Sequence, residues 1–534
     1  MRRSHRLILV LACALLTPAV ARAQFVPPGY HVETFVTGLD SPCAFDFMPG
    51  GEVLFTEQNT GRVRLLRAGA GLQAAPVLAI AGVATGGERG LLGIALDRLY
   101  PNRPYVYVLH SASAPSRTRI ARFTLDANAF AAGGDLVADP ASRMDLLDAI
   151  PDAAPNHNGG TLRFAADGML IASLGDDAQP CGAQDSTGLR GVILRIQVNR
   201  LAPGPGVASI GQLTPLDNPY ATSADSNARL VLARGLRNPF RVQVEPALRW
   251  LIIGDVGDTQ REELDLLSLP SAGTLAPGVA LPGANFGWPY REGTVAGSRA
   301  AGCPPAPDSL SAPAFDYDRT SFSFGAAIIA AGYVPGIVTL AEPVLPSRGL
   351  PPGMYFSDYY TGALTRLDIP ASGARWEIPP PVPGQPSAEH FAEGFQAVSD
   401  WRVRGVELWF VRQSVSFAAN TGSIGRLVAD DVPPPPPPPP TFPPELLVLG
   451  SPGGAPIRFM FPNGVAAPAR LALHDLTGRV RRHWGDADLV GIPSNRFLSW
   501  DGLDDAGQRL PPGLYVARLE SAGRTVRARV TLLR

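Results

Sequence analysis

Lysine is absent from all 534 positions, so every basic side chain is an arginine or a histidine, and any contact that needs a permanent cation must come from arginine. Charge of either sign is sparse: charged residues make up 17% of the chain against a typical quarter, and the formal net charge is -1. With acidic and basic residues spread evenly, the electrostatic footprint of a nucleic-acid or anionic-lipid binder is missing. Apolar runs long enough to span a bilayer are missing beyond the N-terminal segment. Cysteine is scarce as well. Of four, Cys13 lies in that N-terminal segment, which leaves Cys43, Cys181 and Cys303, an odd set that allows at most one disulfide and does not reveal which pair forms it.

What is present is a 45% hydrophobic, Gly- and Pro-rich chain, too long for one ordinary core unless part of it closes into a large β architecture. Arg2, Arg3, His5 and Arg6 precede an apolar run from Leu7 to Leu16 and then Ala21-Arg22-Ala23. That order of charged, apolar and small residues reads as a secretory signal over residues 1–23, so the mature protein is expected to be exported: periplasmic, secreted or at the cell surface.

A two-part pattern then recurs six times, each a short β-rich run, a turn, and a second run opened in most copies by Gly. Its first halves begin at Gly51, Tyr105, Gly168, Trp250, Gly353 and Glu407, and its second halves include Arg62–Leu65, Arg119–Phe123, Val192–Ile196, Glu263–Leu266, Ala363–Leu367 and Ser423–Leu427. Six strand pairs at wide spacing predict an all-β fold, a six-bladed propeller over residues 25–431 with long inserted loops. Unbroken proline from Pro433 to Pro440 must run as stiff polyproline II, so residues 432–444 read as a linker. Residues 445–534, with turns at His474-Asp475-Leu476-Thr477-Gly478-Arg479 and Trp500-Asp501-Gly502, read as a small β-sandwich.

The sharpest chemical signal is Asn156-His157-Asn158-Gly159-Gly160, followed by Asp167-Gly168 and Gly175-Asp176-Asp177. A lone histidine is more often structural, but small polar neighbours push this one toward a loop, and the acidic pair could fix its tautomer or share its proton. Further motifs are Gly90-Leu91-Leu92-Gly93, Gly235-Leu236-Arg237-Asn238-Pro239, Gly254-Asp255-Val256-Gly257-Asp258 and Asn285-Phe286-Gly287-Trp288-Pro289. Aspartate beside glycine is commonly a turn residue, although oxygen-rich loops also suit calcium.

In their order these motifs resemble the soluble glucose/sorbosone dehydrogenases that depend on pyrroloquinoline quinone, over about Tyr30 to Val428. The resemblance implies a six-bladed quinoprotein propeller that oxidises an aldose sugar and passes electrons to an external acceptor. His157 then matches the general base that takes the hydroxyl proton while hydride passes to the quinone, and Asp176 matches its paired carboxylate. Arg237 and Asn238 match residues on the quinone oxygens, Glu88 stands where relatives place a glutamine, and Gly257 and Asp258 match backbone-carbonyl ligands of a Ca²⁺ ion.

The chain also departs from that pattern. Tyr360 replaces a cofactor-binding lysine, and an expected arginine pair falls near Gln396 and Ala397, with Arg402 and Arg404 close by but out of register. Loss of one charge-assisted contact predicts cofactor binding weaker by about 1–3 kcal/mol. These departures keep a second reading in play, a non-catalytic binding propeller of the hedgehog-interacting-protein type. The C-terminal segment resembles the immunoglobulin-like module of flagellar hook-capping proteins, which implies an appendage for structure or cell-surface attachment.

Overall fold

The computed structural model describes residues 24–534 apart from 246–248, 270–279, 308, 321–324, 336–348, 371–374, 431–445, 450–456, 462–464, 466–467, 490–496, 522–523 and 533–534. The proposed signal over 1–23 and the proline run lie outside the described residues. The chain divides into two compact units, Met1–Asp431 and Val432–Arg534.

In the first unit the six recurring pairs are the second and third strands, counted from the axis, of six sheets that are antiparallel apart from two short parallel pairings at outer strands. In chain order they are Val53–Glu57 with Arg62–Arg67, Tyr105–Ser113 with Ser116–Leu125, Leu170–Leu174 with Val192–Ile196, Trp250–Asp255 with Arg261–Ser268, Gly353–Asp358 with Leu364–Leu367, and Glu407–Arg412 with Gly422–Ala429. Each sheet also has an innermost strand: Pro42–Phe47, Leu91–Leu96, Leu162–Phe164, Pro239–Glu245, Ile328–Val334 and Val398–Arg404. These innermost strands pack one against the next in a ring, the sixth returning to the first. Leu91–Leu96 among them is apolar without alternation because both faces are covered, and all six of its residues are buried.

The ring closes through Tyr30–Leu39. This first strand pairs antiparallel with Gly422–Ala429, from Tyr30 opposite Ala429 to Leu39 opposite Gly422, and so becomes the outer strand of the sixth sheet. Closure leaves the propeller without an open seam.

Charged groups from separate sheets meet on the axis of the ring. Arg163 donates from Nη2 to both oxygens of Asp400 at 2.7 and 2.8 Å, with side chains 1% and 0% exposed. Arg241, also buried, donates to the carbonyls of Ser399 at 2.6 Å and Cys43 at 2.8 Å. Arg241 Nε also lies 3.8 Å from Asp400 Oδ1, so this one buried carboxylate faces both guanidinium groups and offsets the cost of burying them. Among the described residues Cys43 is free and buried, and Cys181 is disulfide-bonded to Cys303 across 122 residues of sequence. Closing a loop of that length stabilises the fold by about 4–5 kcal/mol in the chain-entropy account.

The second unit has a three-stranded sheet (Leu447–Leu449, Ile457–Met460, Phe497–Trp500) and a four-stranded sheet (Ala469–His474, Val480–Trp484, Gly513–Ser521, Arg524–Leu532). Phe459 and Trp500 from one share a core with Leu471, Tyr515 and Leu519 from the other. The segment from His474 to Arg479 is a hairpin turn in which Asp475 Oδ1 accepts the N–H groups of Thr477 at 3.0 Å and Arg479 at 3.1 Å.

Candidate active site

Loops at one end of the ring enclose a cavity of about 580 Å³ to which all six sheets contribute. Glu88, His157, Asn238 and Ala327 enter just before innermost strands, and Gln58, Val256, Tyr359 and Gln413 just after the strands next to them. Radial repetition thus gathers residues that lie far apart in sequence.

His157 is held from several sides. Its Nδ1 lies 2.6 Å from Asp176 Oδ1, and its backbone N–H donates to Glu88 Oε2 at 2.9 Å. Asp176 is buried; it also accepts the Ala178 N–H at 2.9 Å and the indole N–H of Trp288 at 2.8 Å. A carboxylate so placed is an acceptor, which puts the imidazole proton on Nδ1 and leaves the Nε2 lone pair for the cavity. The backbone at His157 is left-handed, φ 60°, a conformation that costs a non-glycine residue about 1 kcal/mol or more and recurs where a side chain is aimed for chemistry. Gly175 permits this placement, because a Cβ there would lie 2.0 Å from the His157 carbonyl oxygen. The neighbouring carboxylate, Asp177, accepts the Ala154 N–H at 2.7 Å and so holds the loop leading to the histidine.

Arg237 and Asn238 join the same cavity. Their backbone N–H groups both donate to Asp255, at 2.9 and 2.7 Å, and burial pushes the Asp255 carboxyl up to about 7. Arg237 donates to the Val256 carbonyl at 3.0 Å and pairs with Asp258 at 3.3 Å, its guanidinium 5.6 Å from the Trp288 ring centroid. Its Nε is buried without a partner. The Asn238 amide donates to Glu88 Oε2 at 3.0 Å and accepts the Gly159 N–H at 3.1 Å.

Gly257 and Asp258, the expected backbone-carbonyl calcium ligands, lie beside this cluster in a segment where guanidinium groups oppose a divalent cation and where the first of the two carbonyls, that of Gly257, already has a guanidinium partner. The Gly257 carbonyl accepts Arg319 Nη1, and the Asp258 carboxylate is shared by Arg237 and by Arg299 at 2.7 Å. Calcium needs six to eight oxygen ligands and gains nothing from oxygens already facing guanidinium groups. Arg319 itself lines the cavity, and no sequence motif pointed to it. Trp288 belonged to a recognised motif, but its hold on Asp176 became visible only in the fold.

Tyr360 does line the cavity where the lysine was expected. Gln396 turns its amide to the Thr361 carbonyl at 2.9 Å, and Ala397 is buried. Arg402 ion-pairs with Asp46 in a separate cavity at the opposite ends of the innermost strands, and Arg404 lies 5.0 Å from the Phe47 ring centroid. Among the described residues, the arginines lining the His157 cavity are therefore Arg237 and Arg319.

Fold and cavity together define a six-bladed β-propeller with a histidine–carboxylate pair set against arginine at one end of its axis. The family model described as Glucose / Sorbosone dehydrogenase matches residues 39–333, and the chain belongs to that family. It is 25% identical over 269 residues to the aldose sugar dehydrogenase YliI of Escherichia coli K12, a match covering 49% of this chain and 62% of that one. With quinoprotein glucose dehydrogenase B of Acinetobacter calcoaceticus it shares 22% identity over 308 residues, 52% of this chain and 56% of the other. The chain thus spans about six tenths of the length of these curated relatives. The solved structure of the quinone-bound aldose sugar dehydrogenase of Streptomyces coelicolor has the same fold, with a TM-score of 0.51 and 22% identity over 76% of this chain and 100% of that one.

Proposed function

We propose that this chain is an exported sugar dehydrogenase that oxidises an aldose with pyrroloquinoline quinone. The observation that carries the reading is the Nε2 of His157, oriented by Asp176 into a cavity it shares with Arg237. Bound quinone supplies the hydride acceptor. His157 takes the proton of the sugar hydroxyl at Nε2, and Asp176 stabilises the imidazolium that results. Trp288 and the Ala178 N–H keep Asp176 an acceptor throughout. Arg237 places a fixed positive charge beside the growing anion. A cavity of about 580 Å³ is ample for a planar tricyclic cofactor with a sugar above it.

The Cys181–Cys303 disulfide and the N-terminal signal pattern support export. No helix among the described residues is long and apolar enough to cross a membrane. Two sheets around one core support an immunoglobulin-like appendage at the C-terminus, in the role of structure or surface attachment.

The test is to titrate the apoprotein with the quinone, recording absorbance, and then to assay dye reduction over a panel of aldoses. Saturable binding with sugar-dependent reduction is expected. Absence of quinone binding would turn the reading to a non-catalytic binding propeller, to which the uncharged Tyr360 and Gln396 already lend some weight.

A further inference from the structure

We infer that the guanidinium of Arg319 is the resident cation at the Gly257 end of the cavity, in the place a divalent metal ion would take, so that an anionic cofactor is gripped by Arg237 and Arg319 without calcium. The inference rests on the quinone reading for the identity of that cofactor. Arg319 is a positioned group and not a loose surface arginine. Its Nη1 donates to the Gly257 carbonyl, its Nη2 donates to the Ala326 carbonyl at 3.2 Å, and Nη1 lies 3.0 Å from Glu262 Oε1. Glu262 is itself buried and anchored, with Oε2 accepting the Ile328 N–H at 3.0 Å. The side chain of Arg319 is 15% exposed, and it lines the cavity that holds His157 and Arg237.

Neighbouring charges act in the same direction. The next carbonyl, that of Val256, accepts Arg237 at 3.0 Å, and the nearby Asp258 carboxylate is divided between Arg237 and Arg299. A divalent ion placed here would face three guanidinium groups and would find the Val256 and Gly257 carbonyls and the Asp258 carboxylate already engaged, which leaves it only the Asp258 carbonyl of the expected pair. An anion meets the opposite situation, because two fixed cations converge on it in a site partly shielded from water. A glycine is required at the contact: a Cβ on residue 257 would lie 1.6 Å from the Arg261 carbonyl oxygen. The segment is thus pressed against the strand that follows, with its carbonyl turned toward Arg319.

Two measurements test this, one of them independent of the quinone. Quinone affinity of the wild-type protein, measured by absorbance titration, is expected to agree within about threefold between excess chelator and millimolar calcium, whereas Arg319→Ala weakens it about tenfold or more in chelator. Arg319→Lys keeps the charge, and its loss is expected to be smaller than that of the alanine variant. Calorimetric titration with calcium alone should show one more ion taken up by Arg319→Ala than by wild type. A wild-type protein that binds the quinone only when calcium is added overturns the proposal. So does equal calcium uptake by wild type and Arg319→Ala, with folding of the variant checked by circular dichroism. If no quinone binds under any condition, the dehydrogenase reading falls, and the calcium titration still decides the place of Arg319.

Discussion

The two ends of the propeller axis are made of the same materials and differ in how charge is settled. At the end holding Asp46 and Arg402 the cavity is about 340 Å³, and its charges have partners within the protein: Arg402 has Asp46, Arg98 donates to the carbonyls of Ala165 and Ala166 at 2.7 Å, and Asp97 pairs with Arg103 at 3.1 Å. At the other end Arg237 Nε is buried with none, and His157, held at Nδ1 by Asp176, lines the cavity. An unpartnered group on a cavity wall is open to a ligand, and the proposed function puts the ligand at that end.

The comparison is tested most strongly at His157. Replacing it with alanine should lower turnover by about 10²- to 10⁴-fold, while quinone affinity stays within about threefold. Equal losses in both would make the histidine a cofactor contact and not a base. Arg237→Ala comes next: quinone affinity should drop by roughly 10- to 100-fold, read by absorbance titration, since a charge-assisted contact is lost. At the far end, Arg402→Ala should leave turnover unchanged and cost about 1–3 kcal/mol of stability in denaturant unfolding, because it strands a half-buried carboxylate. Loss of turnover there would erase the distinction between the ends.

A pH dependence of stability is expected as well. Burial pushes Asp255 up to about 7 and Glu262 up to about 8, whereas unfolded carboxyls titrate near 4. The folded protein therefore holds extra protons in between. Their stabilising contribution is fully present below about pH 4 and is lost as pH rises through 7 to 8. Denaturation midpoints measured from about pH 5.5 to 8.5 should decline, and a flat profile would contradict the protonated state of these groups.

How legible this was from sequence differs between strand and loop. The hairpin pairs stood out because each middle strand is bounded by glycine and turn residues, as at Gly61 and Gly362. The innermost strands did not, since a run such as Leu91–Leu96, buried on both faces, lacks the alternation that marks a strand. Closure by Tyr30–Leu39 could not be read, because its partner lies at the far end of the unit. His157, Asp176, Arg237 and Asn238 were nameable because each sits in a compact motif. Arg319 was invisible for the opposite reason: it follows Phe315–Asp318 in no motif at all, and only the ring brings its side chain to Gly257.

Closure of the ring also sets an order of events in time. His31 and Asp430, which flank the closing seam and lie 2.7 Å apart, are separated by 399 positions, so the sixth sheet is completed only after nearly the whole unit has been synthesised. Bringing such distant ends together costs roughly 5 kcal/mol in chain entropy by the logarithmic loop law, a modest sum for a single event but one that nothing repays before the last strand arrives. Until then Tyr30–Leu39 and Glu407–Arg412 are both unpaired edges open to association with other chains. A nascent chain of this design stays unclosed until the last strand of the unit emerges.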